Sequence, residues 1–278
     1  MSLVLSIGIL IAVNAAAIAA MLLVRRGAPE GSRFADGDRA SGVFGVLAGG
    51  FAIFAGFIIF LAFTSYDESR SGGEAEALTL RQQFETAQLL PTPLRAPLGG
   101  ELVCYGRSVV HVEWPQMEQG KGGEAINPWT VALFRTLTLA NPKSPTEQAA
   151  YSKWLDQTSD REEGRRDRLH GAEGIIPSSI WVVLFLIAGV VFAFMLFFAD
   201  SAEGPGAQAM LMGSAATVIV LTLLAINALD NPHSGPLGRI EPVAMERSLR
   251  ILDIERDVVK DTGSPPCDAR GVRITRSG

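Results

Sequence analysis

The chain has little with which to do covalent or metal chemistry. It holds three histidines and two cysteines in 278 residues, and none of the five stands at a spacing that would close a metal site. No glycine-rich phosphate loop, no G-x-S-x-G elbow and no H-E-x-x-H helix occurs, so the motif-based case for an enzyme is empty. Charge is scarce too. Charged residues make up 19% of the chain and the formal net charge is −5, which gives no reason to invoke nucleic acid or an acidic substrate. Strand-like alternation of any length is missing, so the expected fold class is all-α. No cofactor is expected.

What is abundant is uncharged apolar sequence. Hydrophobic residues are 48% of the chain, and they gather into four runs long enough to cross a bilayer as helices. The organising run is Gly42 to Ser65. Within it Gly45, Gly49, Ala52 and Gly56 fall at i, i+4, i+7 and i+11, one stripe of small residues that lets a neighbouring helix backbone approach closely. Phe51, Phe54, Phe57, Phe60 and Phe63 spread over the rest of the surface. The run passes without a break into Tyr66-Asp67-Glu68-Ser69-Arg70, so one helix is expected to leave the membrane and enter an aqueous region.

The first run, Leu3 to Val24, has no basic segment ahead of it, is too long for a signal-peptide core and is followed by Arg25-Arg26 in place of a cleavage site; it reads as a retained span. Asn14, in mid-span, calls for an interhelical hydrogen bond. The third run, Ser178 to Ala199, follows Pro177 and carries Trp181 at an interfacial position. The fourth, Ala207 to Leu229, carries Asn227 and ends at Asp230. The chain thus divides into spans one and two (1–65), a helical aqueous domain (66–176), spans three and four (177–230), and an amphipathic helix with a polar tail (231–278). That tail, from Gly263, is expected to be poorly ordered.

The aqueous domain carries clear helix signals. Ala77, Leu80, Phe84 and Ala87 repeat at helical spacing. The next helix, through Leu98, Leu102, Tyr105 and Trp114, is expected to stop at Pro115, and Gly120 to Ala125 to form a flexible loop. Asn127-Pro128 and Ser144-Pro145-Thr146-Glu147 read as helix starts, the second as a capping box.

Four spans put the domain and both ends of the chain on one side. Close to the membrane that side holds Arg70, Arg81, Arg161, Arg165, Arg166, Arg168, Arg239, Arg247 and Arg250, against Arg25, Arg26, Arg33 and Arg39 on the other. The count favours a cytoplasmic domain and tail in the inner (plasma) membrane, although the first helix alone argues the reverse. A disulfide between Cys104 and Cys267 can form only if both face an oxidising compartment; in the cytoplasmic orientation both are reduced, Cys104 being a buried thiol on an apolar helix face.

The runs FLAFTSYDESRSGGEAEAL, CYGRSVVHVEWP, YSKWLDQTSDREEGRRDR, IPSSIW, FFADS and LDNPHSGPLGRIEPVAME resemble the bacterial membrane proteins with a bestrophin-like domain, over a stretch from about Gly42 to Leu252. The resemblance implies four spans with a helical domain between the second and third. It also implies a likeness to bestrophins, which are pentameric anion channels with a pore lined by the second span.

On that footing the candidate residues are Gly45, Gly49, Ala52, Gly56, Phe57 and Phe60, for helix packing or the pore, and Arg161, Arg165 and Arg168. The three arginines occupy i, i+4 and i+7 and predict one cationic helix face. Such a face could draw anions to a pore mouth or hold anionic headgroups; the plainer reading is a solvated surface balanced by Asp160, Glu162, Glu163 and Asp167. Asp156, Asp160, Glu162 and Glu163 lie on a helix where pairing with arginine is the default, so no metal site is expected. Two function classes follow: an oligomeric bestrophin-like ion channel, with the lipid bilayer and copies of itself as partners, or a non-conducting scaffold or sensor whose helical domain binds a partner protein. Neither involves nucleic acid.

Overall fold

The computed structural model describes residues 2–30, 33–34, 36–122, 126–235, 238–261 and 263–274. Helices account for nearly all of it: α1 (Leu3–Arg26), α2 (Gly37–Ala87), α3 (Thr92–Ser108), α4 (Trp114–Glu118), α5 (Pro128–Leu137), α6 (Pro145–His170), α7 (Ser178–Leu196), α8 (Pro205–Asp230) and α9 (Val243–Val258). Among the described residues the one β feature is an isolated bridge between Cys267 and Arg273. Four helices, α1, α2, α7 and α8, are long and apolar enough to span a membrane. The chain is therefore an all-α, multi-pass membrane protein with a large helical region between its second and third spans.

The chain forms two compact units. The first comprises Met1–Thr64, Ile175–Asp230 and Gly235–Gly238, and the second Ser65–Gly174, Asn231–Ser234 and Arg239–Gly278. The uninterrupted helix α2 supplies residues to both.

In the first unit one face of α2, made of Phe51, Ala55 and Ile58, is buried with Leu184, Ala188 and Val191 of α7 and Ile219 and Ile226 of α8. Asn14 finds the partner its position demands. Its side-chain amide donates to Leu10 O (2.9 Å), and its oxygen accepts from Thr217 Oγ1 of α8 (3.0 Å). Asp230 ends α8 as an anchor for the start of α7: Oδ1 accepts from the amides of Ile175 (2.7 Å) and Ile176 (2.8 Å), and Oδ2 from Trp181 Nε1 (3.2 Å). Three donors answer one carboxylate, so these polar groups hold structure together.

The second unit is built on the later part of α2. Leu80, Phe84 and Ala87 pack with Leu98, Leu102 and Tyr105 of α3, Trp129 and Leu133 of α5, Trp154 of α6 and Leu252 of α9. The helix starts form as the sequence predicts: Asn127 accepts from Trp129 N, and Ser144 and Glu147 make a reciprocal capping box. Pro115 does not stop its helix. A π turn, Val109–Glu113, precedes it, and the Trp114 amide donates to Val109 O, five residues back. The widened turn accommodates a proline that has no amide to give, and α4 follows directly. Of the loop expected at Gly120 to Ala125, residues 123–125 lie outside the described residues.

The tail also departs from expectation. Residues 263–274 are ordered against α3 and α5, and 275–278 lie outside the described residues. Trp129 Nε1 donates to Gly271 O (2.7 Å), Arg273 lies over the Trp129 ring (5.1 Å), and Cys267 is bonded to Cys104 at a Cα separation of 5.7 Å. Composition predicts disorder for a free tail; here a buried indole and a covalent bond supply the order that the tail's own apolar content does not.

Candidate functional site

Two features carry information about function. The first is the face of α2 opposite its buried side. Gly45, Gly49, Ala52 and Gly56 are all exposed. A Cβ built at Gly45, Gly49 or Gly56 would meet nothing within 4 Å. The close helix approach that the stripe allows is thus not made by any helix of the same chain. Phe60, four residues after Gly56 and on the same face, is 65% exposed, and Phe57 is 58% exposed. The result is an uncharged, small-then-aromatic surface along a membrane-spanning helix. Elsewhere in this unit an apolar cleft of about 500 Å³ lies between α1, α7 and α8, with Ile9, Phe185 and Leu223 among its walls and Asn227 as a rare polar group.

The second feature is an ionic network inside the helical unit. α2 and α6 cross at a pair of glycines: a Cβ on Gly164 would stand 2.8 Å from Gly72 O and 2.8 Å from Glu76 N. Only glycine permits this approach, and it sets Arg168 against Glu76. The Arg168 guanidinium binds Glu76 through two nitrogens, Nε to Oε2 at 2.5 Å and Nη2 to Oε1 at 3.1 Å. Nη2 also reaches Glu113 Oε2 (2.8 Å), and the group lies 5.4 Å from the Trp114 ring centroid. Tyr105 donates its hydroxyl to Glu76 (2.6 Å), and Asn127 donates to Glu113 (2.8 Å). Arg165 completes the set at 3.4 Å from Glu113. Two carboxylates thus face two guanidinium groups, and the neutral neighbours donate hydrogen bonds to the carboxylates.

The cationic face predicted for α6 is therefore not a surface. Arg168 is fully buried and Arg161 is 1% exposed. Arg161 donates to Gln83 (2.7 Å) and lies over the Tyr105 ring (4.7 Å). The helical period holds but the face turns inward, because Arg165 and Arg168 answer carboxylates from α2 and the π turn and Arg161 answers the Gln83 amide oxygen of α2. Burial tends to loosen the Arg168 proton, but Glu76 and Glu113 more than reverse this and hold it charged. Burial, with Glu76 beside it, drives the Tyr105 phenol well above its usual value, so it stays a donor. His233 is buried beside this cluster. Ser69 gives its proton to Arg168 O (2.8 Å), so His233 Nε2, 3.0 Å away, carries the hydrogen of that contact. Burial pushes His233 down to about 4.

Among the described residues no cluster of three or more His, Cys, Asp or Glu could hold a metal. Fold and site together define a four-span, all-helical membrane protein with a salt-bridged helical region and an open α2 face. The family model for the bestrophin-like domain matches residues 11–245, and the chain belongs to that family. Among solved structures it is similar to bacterial bestrophin homologs from Klebsiella pneumoniae. An isoleucine-to-threonine variant shares 14% identity over 87% of this chain and 98% of that one, with a TM-score of 0.64. A leucine-to-threonine variant shares 13% over 88% and 98%, with a TM-score of 0.61. At this identity the likeness is one of fold. No curated protein matches.

Proposed function

We propose that the chain is one protomer of a homo-oligomeric, bestrophin-like channel for small anions, with α2 lining the path and no enzymatic role. The observation that carries this reading is the open face of α2, in a chain of this family. Small residues at Gly45, Gly49, Ala52 and Gly56 let a helix of another protomer come close. Phe57 and Phe60 offer an apolar constriction of the kind that gates by dewetting.

The test uses Gly49→Leu. Nothing in the protomer lies within 4 Å of the new Cβ, so the protomer should fold and unfold as before while the oligomer is lost or altered and anion flux in reconstituted vesicles falls with it. An unchanged oligomer would mean that the stripe faces lipid.

A second reading is a non-conducting scaffold, and one observation favours it. α5 leaves Phe134 exposed, beside a groove of about 290 Å³ walled by Leu133, Leu137, Trp154 and Leu155. If the unmutated protein passes no ions across a range of voltages and lipids, this reading takes the place of the first. As for orientation, the arginine count favours a cytoplasmic helical region, whereas the Cys104–Cys267 bond favours the opposite side.

A further inference from the structure

We infer that the helical unit and the C-terminal segment face the oxidising, exoplasmic side of the membrane, where the Cys104–Cys267 disulfide forms and staples the segment to α3. Two independent observations lead there.

The first is how the cysteines meet. They are the only two in the chain, they stand 163 residues apart, and they are joined with a Cα separation of 5.7 Å, within the range that a disulfide spans. Other contacts hold the segment on α3 around the bond. A Cβ on Gly100 would lie 3.2 Å from Pro266, so the segment sits close on α3 there. Asp268 ties its own loop by accepting from the amides of Arg270 and Val272, both at 2.9 Å. Gly271 has φ +79°, and a side chain on it would run into the backbone at Arg107 and Ser108. Both sulfurs end up buried. A pair so placed is oxidised by exchange with a disulfide-bearing oxidant: the two thiols give up two electrons and two protons, and the oxidant's disulfide becomes a dithiol. Such bonds persist outside the cytoplasm and are rare inside it.

The second observation reduces the argument for the cytoplasm to Arg239, Arg247 and Arg250 after α8. The charge bias that sets orientation is counted over short loops, up to ~60 residues, because longer domains cross regardless of charge. Residues 65–174 exceed that length, and two of the arginines counted there, Arg161 and Arg168, are interior groups matched to Gln83, Glu76 and Glu113. The short connection after α1 is different. It holds Arg25, Arg26, Arg33 and Arg39, and Arg25 is fixed there by donating to the carbonyls of Ser201 (2.9 Å) and Glu203 in the α7–α8 connection. Four arginines in so short a loop retain it in the cytoplasm, which sends the helical unit out.

The test is thiol accessibility in spheroplasts making the full chain. In a Cys104→Ser/Cys267→Ser background, Lys121→Cys, exposed in the helical unit, should react with a membrane-impermeant maleimide, while Ala202→Cys, exposed in the α7–α8 connection, should react only after lysis. The opposite pattern overturns the orientation. In parallel the unmutated chain, quenched in acid and alkylated before reduction, should show no free thiol; two alkylated cysteines would overturn the staple. Neither readout involves ion flux, so either can fail while the channel reading stands.

Discussion

Arg168→Met removes the charge at the centre of the buried network at nearly constant volume, and its cost can be worked from the contacts. Three charge-assisted hydrogen bonds are lost, two to Glu76 and one to Glu113. The two carboxylates fare differently. Glu113 keeps Arg165 at 3.4 Å and the Asn127 amide, whereas Glu76 keeps only the Tyr105 hydroxyl. The penalty is therefore chiefly one stranded, buried carboxylate, roughly 3–5 kcal/mol. For a protein of this size that lowers the apparent Tm by on the order of 10 °C, readable by fluorescence-detected gel filtration of heated, detergent-solubilised protein. If the stranded charge is the cause, Arg168→Met/Glu76→Gln should recover part of the loss despite carrying a second change. A single variant that melts within about 2 °C of the parent, or a double variant no more stable than the single, would refute the reasoning.

Gly164→Ala places a methyl against the α2 backbone at Gly72 and Glu76, and should cost ~1–3 kcal/mol by the same melting assay, because neither backbone can yield without moving a helix. Gly271→Ala strains a positive φ and clashes with α3; it should raise cleavage of the C-terminal segment in limited proteolysis, with little change in the Tm of the rest. His233 is held neutral in the fold by burial, at about 4 against 6.5 when free. Protonation therefore favours the unfolded chain: stability is whole above pH 6.5 and falls as pH drops toward 4, by up to ~3 kcal/mol. In His233→Gln that portion of the pH dependence should vanish from melts recorded across the window.

The spans and helix starts could be read from sequence because their causes are local. Uncharged length defines α1, α2, α7 and α8, and Asn127-Pro128 and Ser144-Pro145-x-Glu147 satisfy amides within their own first turns. Pro115 misled because its cost is avoided by a π turn, a change of hydrogen-bond register that leaves no mark in apolar periodicity. The tail misled in the same way. Its order comes from Trp129 and Cys104, more than a hundred residues earlier, and composition is blind to partners at that distance.

The candidate residues divide along the same line. Charge and period made an outward face of Arg161, Arg165 and Arg168, yet a signal to the contrary was present. Gly164 interrupts a helix of long charged side chains, three residues after Arg161 and four before Arg168, and a glycine costs about 1 kcal/mol against alanine in an ordinary helix interior. A solvated face gives no return for that cost. A backbone crossing does, and the partner glycine, Gly72, precedes the one acidic residue, Glu76, that lines up with the apolar positions Leu80 and Ala87. The α2 stripe poses the converse problem. Its period is visible in the sequence and its emptiness is visible in the structure of one chain, but neither says what covers it, so its meaning rests on the assembly that Gly49→Leu is designed to perturb.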